Sequence, residues 1–342
     1  MSQTSRIYRT ALIGLGEIAE NGHMPALLDH PRFRLVALCD SSPDRRARLT
    51  TLSQGVPAFA NVSDLYEHQD IDVAVLALHP EVSVSIAIDF LKKGKSILDE
   101  KPLAINLAES KTLGEAVSSA SGIYQIGFVF RYSSFAMEIK RLLKKIGAPR
   151  SFIITISDER FDDANPNHFL RLQHIIRTSS AINHEGSHFL DLVKFWMGSD
   201  FNYVSALASS GKTDPSFQGP NIWHTTLAGN DECLLQLNVY WLSPELGDSR
   251  LRVSGTHGVL DVSFKSGRGE LLYDGCREEV LIPKLAQNWI GQLDAFAQSL
   301  DTGTVQGATF QDGFSALCAA SACETAMSTG TRVSISQGIF PK

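Results

Sequence analysis

Two histidines flank a glutamate at zinc-protease spacing in the stretch AINHEGSHFLDLVKFWMG. His184, Glu185 and His188 spell H-E-x-x-H. On an α-helix, this spacing places both histidines on one face, where they can hold Zn²⁺ while the glutamate acts as a general base. The pattern raises the hypothesis of a zinc hydrolase.

The residues around this pattern argue against a zinc site. Lys194 stands where one class of zinc protease has its third histidine, and Gly186 weakens the ligand helix. Asp191 and His224 remain open as third ligands. A zinc hydrolase is therefore kept only as a remote alternative, and no metal is predicted.

A glycine-rich turn near the N-terminus predicts a dinucleotide site. The segment RTALIGLGEIAENGHMPALLDHPRFRLVALCD reads as strand, turn, helix and strand. Gly14 permits the tight turn, Gly16 lets the backbone approach a pyrophosphate, and Ala19 allows close packing of helix on strand. Asp40 closes the second strand and can accept both ribose hydroxyls while repelling a 2′-phosphate, so NAD is favoured over NADP.

Two further observations bear on the cofactor. Arg45 and Arg46 follow closely and could meet a 2′-phosphate, although a solvated helix face also explains them. In LDEKPLA, Glu100-Lys101-Pro102 stands at a strand end, the edge at which open α/β sheets bind ligands. By position alone, Lys101 could be a functional amine or a surface charge.

Composition limits the other classes of function. The chain has 342 residues, 31 basic against 37 acidic, and a net charge of −6. The length predicts two domains, and the lack of a basic run argues against nucleic acid. Five scattered cysteines without C-x-x-C favour a reducing compartment, and no apolar run is long enough for a membrane span. These features predict a cytoplasmic protein.

Three motifs resemble those of the glucose–fructose oxidoreductase / inositol dehydrogenase / rhizopine-catabolism (Gfo/Idh/MocA) oxidoreductase family. They are GLGEIA, KKGKSILDEKPLA and GSHFLDLVKFWMG, in that order, and the similarity spans nearly the whole chain. The resemblance implies an α/β Rossmann domain with a doubly wound parallel sheet, predicted at 1–126. It further implies an α+β domain with a large, mostly antiparallel open sheet and C-terminal helices, predicted at 127–342. Strand patterns after residue 150 agree, with one convincing long helix among them, around 182–197.

The resemblance also implies a chemistry. The family motif D-x-G-x-H-x-x-D matches Gly186, His188 and Asp191, while His184 stands where the family usually has aspartate. The implied reaction is hydride transfer between NAD(P) and a secondary alcohol or carbonyl of a sugar, inositol or sugar derivative. Lys101 and His188 would supply the acid–base groups, and the sequence leaves open which of them accepts the proton.

These considerations predict the following site residues. The catalytic residues are Lys101, His188 and His184. The cofactor contacts are Gly14, Gly16, Glu17, Ile18, Asp40, Leu78, His79, Glu100 and Lys101. The substrate contacts are Lys101, Arg131, Arg177, His184 and His188.

Several interpretations remain open beside these. Arg131 could instead form a structural ion pair or cap a helix, and His23 and His79 are expected to shape loops. The family often has Asn and His after the proline of the third strand, whereas this chain has Glu81, Ser83 and Val84, which weakens that part of the cofactor site.

The expected partners are a small polyhydroxylated substrate and a second copy of the chain. A homodimer or homotetramer is expected through the sheet of the C-terminal domain, with no nucleic acid or membrane partner. The alternative to an enzyme is a regulatory protein of the same fold that senses the dinucleotide without turnover.

Overall fold

The protein is described by a computed structural model covering residues 6–67, 70–160, 166–211, 219–229, 233–243, 247–336 and 338. The strands are β1 (Tyr8–Ile13), β2 (Phe33–Cys39), β3 (Ala58–Phe59), β4 (Val73–Leu76), β5 (Ser96–Asp99), β6 (Tyr124–Ile126), β7 (Pro149–Arg160), β8 (Phe201–Ser209), β9 (Ile222–Gly229), β10 (Leu234–Ser243), β11 (Arg250–Gly255), β12 (Gly258–Ser263), β13 (Arg268–Tyr273), β14 (Cys276–Leu281) and β15 (Val333–Ser334).

The α-helices are α1 (Met24–Asp29), α2 (Pro43–Leu52), α3 (Val62–Glu67), α4 (Pro80–Lys92), α5 (Leu107–Ser119), α6 (Ser134–Ile146), α7 (Pro166–Ser179), α8 (Ser187–Met197), α9 (Trp289–Thr302) and α10 (Phe310–Thr329). Two π-helices, Ala19–His23 and Ile182–Gly186, lead into α1 and α8, and a 3-10 helix spans Val129–Tyr132. Among the helices of the described residues, none combines the length and apolar character needed to cross a bilayer.

The chain forms two compact units. The first comprises Met1–Val129 and Asn288–Gly313, and the second comprises Phe130–Gln287 and Phe314–Gly338. This division differs from the predicted 1–126 and 127–342, because α9 belongs to the first unit. The apolar face of α9, with Leu293 and Phe296, joins the core built by β1, β2 and α1.

The first unit is built on a six-stranded parallel sheet. The strand order is β3-β2-β1-β4-β5-β6, and every neighbouring pair is parallel. The order reverses between β1 and β4, so their carboxyl ends open the crevice in which doubly wound sheets bind ligands. The predicted Rossmann fold is confirmed.

The second unit is built on a nine-stranded, mostly antiparallel sheet. Its order is β14-β13-β12-β11-β7-β10-β9-β8-β15, with β7 and β10 parallel. Side chains alternate along β9, where Trp223 and Leu227 are buried while His224 and Thr226 face outward. α8 covers the buried face, with Trp196 stacked on Phe152 of β7. The predicted second fold is also confirmed.

The stretch 166–179 forms α7, a helix that the strand pattern after residue 150 does not predict. Its buried Leu172, Ile175 and Ile176 recur at helical spacing, so the signal was present in the sequence. The helix predicted around 182–197 exists, although its first turn is a π-helix rather than α.

Candidate cofactor and active site

The glycine turn after β1 is shaped as a dinucleotide loop. Gly14 has φ +83°, and a Cβ there would lie 2.4 Å from the carbonyl oxygen of Ala77, so the turn requires glycine. A Cβ on Gly16 would meet nothing within 4 Å, so the backbone there is open to a ligand. A Cβ on Gly14 would also lie 2.8 Å from Cδ2 of Leu78, so this predicted cofactor contact lies beside the same turn.

Asp40 is bound to this glycine loop. Its Oδ2 accepts a 2.8 Å hydrogen bond from the N–H of Leu15, and its Oδ1 accepts one of 2.8 Å from the N–H of Ser42. The Arg45 guanidinium lies 3.6 Å from Oδ2, whereas Arg46 donates to the carbonyl of Asp40 itself. A carboxylate held in this way beside an open glycine turn suits the ribose of a dinucleotide.

Three further predicted cofactor contacts lie after Gly16 or at the start of α4. Glu17 and Ile18 are exposed just beyond Gly16. His79 caps α4, with its Nδ1 accepting from the N–H of Glu81 at 3.4 Å.

A buried carboxyl at the end of β5 was not predicted from the sequence. Asp99 is 1% exposed, and it accepts hydrogen bonds from Ser83 Oγ at 2.5 Å and Tyr124 OH at 2.8 Å. Burial raises the pKa of Asp99 to about 7, against the lowering effect of both hydroxyls. An acidic residue ending a buried strand is the sequence signal that could have identified it.

Glu100 and Lys101 continue this strand end. Glu100 accepts the N–H of Lys101 on Oε2 at 3.2 Å, and its Oε1 lies 2.8 Å from Nε2 of His23. The Lys101–Pro102 peptide is cis. His23 was expected only to shape a loop, yet it lies in the first π-helix and connects the glycine turn with the segment that contains Lys101.

The two histidines of H-E-x-x-H lie in different kinds of helix. His184 belongs to the second π-helix, and its ring centroid is 5.5 Å from that of Trp241 on β10. His188 lies in α8, is 5% exposed, and its ring centroid is 4.6 Å from that of Phe130. The zinc-protease motif carries both ligands on one continuous α-helix, whereas here the chain passes from a π-helix to an α-helix between the two histidines.

Arg131 forms an ion pair with Asp191, the last matching residue of the family motif. Its Nε and one terminal nitrogen donate to Asp191 at 2.7 and 2.5 Å, and the two side chains are 10% and 1% exposed. These donors are therefore engaged by a buried carboxylate rather than directed at a substrate. The geometry favours the alternative of a structural ion pair, which fixes the 3-10 helix against α8.

A carboxyl from α10 anchors the π-helix that contains His184. Ser180, with φ +53°, donates a 2.5 Å hydrogen bond from Oγ to Glu324. Burial raises the pKa of Glu324. No local sequence pattern indicates this contact, because the two residues are 144 positions apart.

The predicted substrate residue Arg177 lies on α7. It shares an open concave surface with the adjacent Thr178, with Gln173 and His174 one turn away, and with Leu170 two turns away. Polar groups at helical spacing thus form one face, which suits a hydroxylated ligand.

Two family models match the chain. The oxidoreductase family with an NAD-binding Rossmann fold matches residues 8–128, and the C-terminal alpha/beta domain of the same family matches 176–335. The chain therefore belongs to the Gfo/Idh/MocA oxidoreductase family, and it is an NAD-binding dehydrogenase or reductase. The second match assigns His184 and His188 to an oxidoreductase domain.

Individual relatives agree with this family. Inositol 2-dehydrogenase 2 of Saccharopolyspora erythraea is 22% identical over 307 residues, covering 87% of this chain and 86% of the relative. The crystal structure of myo-inositol 2-dehydrogenase from Lactobacillus plantarum has a TM-score of 0.83 at 19% identity, covering 97% of this chain and all of that one. An Agrobacterium radiobacter oxidoreductase in complex with NAD⁺, L-tartaric acid and magnesium has a TM-score of 0.82 at 18% identity, covering 96% and 98%.

Proposed function

We propose that the protein transfers hydride between NAD and a secondary alcohol or carbonyl of a sugar, inositol or sugar derivative. The observation that supports this most is the glycine turn open at Gly16 and tied to Asp40, in a chain whose relatives include inositol dehydrogenases. The fixed carboxylate favours NAD over NADP, because it would repel a 2′-phosphate.

The proposed roles follow from the chemistry of each residue. When bound, NAD⁺ accepts the hydride. The Lys101 ammonium stabilises the developing negative charge on the substrate oxygen, and His188 accepts the hydroxyl proton. His184 tunes His188 as a second imidazole of the same segment. The assignment of Lys101 and His188 to one reaction rests on the family match, because they belong to different units.

The substrate class is proposed from α7 and from the relatives. Arg177 with Gln173, His174 and Thr178 offers hydrogen-bonding groups for hydroxyls, and the guanidinium could receive a carboxylate or phosphate. Arg131 is assigned a structural role instead, because Asp191 engages its guanidinium.

The test is a turnover assay on purified protein. NAD⁺ and NADP⁺ are each mixed with a panel of inositols, sugars, sugar acids and sugar phosphates, and absorbance of the reduced cofactor is followed. Oxidation of a polyhydroxylated compound with NAD⁺ is expected. Binding of NAD⁺ without turnover of any compound would instead favour the dinucleotide-sensing regulator.

We also propose that the protein is a homo-oligomer, formed through the outward face of the nine-stranded sheet. Large apolar side chains are exposed there, including Leu207 at 73%, Tyr203 at 45% and Leu234 at 45%. The molar mass from light scattering should correspond to a dimer or tetramer. The substitution Leu207→Arg should shift this mass toward that of the monomer. The five cysteines are free thiols, which supports a reducing compartment such as the cytoplasm.

A further inference from the structure

His23 occupies a fixed position at the end of the first π-helix. The N–H of Met24 closes the π-turn on the carbonyl of Ala19, and such turns often occur at functional sites. A Cβ on Gly22 would lie 2.5 Å from the ring of Trp289, so α9 packs directly on the turn. The His23 ring is 1% exposed and its centroid is 4.5 Å from that of Trp289. The imidazole is therefore enclosed and packed against the indole of Trp289.

The Glu100 carboxylate connects this imidazole with Lys101. Oε1 lies 2.8 Å from His23 Nε2, while Oε2 accepts the backbone N–H of Lys101. The side chain is 9% exposed, and a Cβ on Gly127 would lie 3.0 Å from Oε1, which leaves the carboxylate little room to move. The N–H of Glu100 is bound in turn to the carbonyl of Leu76 in β4.

We propose that His23 is a positioning residue for Lys101, acting through Glu100. The π-helix that ends at His23 begins directly after the glycine turn, so a buried imidazole–carboxylate contact joins the segment that follows this turn to the segment that contains Lys101. Placement of the cofactor loop and placement of Lys101 are thereby set together. The inference rests on the proposed catalytic role of Lys101.

The kinetic test compares His23→Leu and His23→Gln, using NAD⁺ and myo-inositol. Leucine fills the volume without a donor, whereas the glutamine amide can still donate to Glu100. His23→Leu is expected to lower kcat about 10- to 100-fold, the cost of a misplacement of about 1 Å. KM for NAD⁺ should change less than about threefold, and His23→Gln should recover most of the loss. In a Glu100→Met background, His23→Leu should cost little more, because the two residues act as a unit.

His30→Leu is the matched control. His30 ends α1, the helix that His23 precedes, and its Nε2 lies 3.1 Å from a carboxylate of Asp294, away from Lys101. The His30→Leu substitution should lower the melting temperature without altering kcat. A substrate-free measurement accompanies the kinetics: backbone hydrogen exchange at Lys101, without cofactor, should be faster in His23→Leu and unchanged in His30→Leu.

The outcomes separate this inference from the proposed function. Unchanged turnover in Lys101→Ala would refute the catalytic role of that lysine. Loss of turnover in Lys101→Ala together with normal kcat and normal exchange in His23→Leu would refute the positioning role alone. If myo-inositol is not oxidised, hydrogen exchange at Lys101 tests the positioning role by itself. Faster exchange in His23→Leu than in His30→Leu supports the role, and equal exchange in the two variants refutes it. If His23→Leu does not fold, Glu100→Met takes its place, and normal exchange at Lys101 in that variant overturns the inference.

Discussion

The N–H of Leu15 donates a 2.8 Å hydrogen bond to Oδ2 of Asp40, which joins the glycine turn to the end of β2. The bond brings the turn and the carboxylate into one rigid unit before any ligand binds. Pre-organisation of this kind lowers the entropy that a dinucleotide loses on binding. The pair should therefore influence both cofactor affinity and cofactor choice.

Replacing Asp40 with asparagine should relax the choice between NAD and NADP. The amide oxygen can still accept from Leu15, but the negative charge that repels a 2′-phosphate is gone. Affinity for NAD should fall about 10- to 150-fold, because charge-assisted hydrogen bonds are worth about 1.5–3 kcal/mol. Calorimetric titration of both cofactors measures this. Adding Arg45→Ala should remove any gain in NADP affinity, since that guanidinium lies 3.6 Å from Asp40.

Replacing Lys101 with alanine, or His188 with asparagine, should abolish most turnover while leaving NAD affinity within about threefold. In the proposed site, the glycine turn and Asp40 would hold the pyrophosphate and the adenosine ribose, and neither change touches them. Lys92→Ala, at the end of α4, is the control for loss of a lysine charge. Turnover and NAD binding are measured on the same preparations. Normal kcat in Lys101→Ala would remove that lysine from the mechanism.

Replacing His184 with aspartate should move the rising limb of the kcat/KM pH profile to higher pH. A negative charge near His188 favours its protonated form, and the base must lose its proton before it acts in oxidation. His184→Asn, which is similar in size and uncharged, should not produce this shift. Identical limbs in all three proteins would mean that His184 serves only in packing against Trp241.

Asp99 should make the first unit less stable as the pH rises from about 4 to 7. Its pKa is raised from 3.8 to about 7 in the folded protein, so the folded state binds the proton more tightly than the unfolded chain. The stabilisation is complete below the unfolded value and is lost as the pH rises through the folded one. The slope is at most about 1.4 kcal/mol per pH unit. Urea unfolding from pH 4 to 8 should show this slope relative to Asp99→Asn; parallel curves would contradict it.

Replacing Arg131 with methionine should destabilise the second unit by about 3–5 kcal/mol, because it leaves the Asp191 carboxylate buried and uncompensated. The double change Arg131→Met, Asp191→Leu should recover much of this loss. Thermal and urea unfolding measure the stability of both variants. A large rise in substrate KM with little loss of stability would restore Arg131 to the substrate site.

Local sequence patterns determined the two folds and most of the cofactor loop. Alternating strand and helix signals predicted the parallel sheet, and G-x-G-x-x-A predicted a turn that requires glycine at position 14. Such features depend on residues close together in the chain, where periodicity and backbone sterics act directly. The same locality makes the helical spacing of Leu172, Ile175 and Ile176 in α7 visible in the sequence, although no helix is predicted there.

Tertiary structure alone decided which polar groups meet. His23 reaches Glu100 across 77 residues, Arg131 reaches Asp191 across 60, and Ser180 reaches Glu324 across 144. The same holds for α9, whose amphipathic pattern predicts a helix but not the unit whose core it completes. Any of these side chains could have been solvated in a chain with this sequence pattern. Only packing, which excludes water around them, makes each buried group require its particular partner.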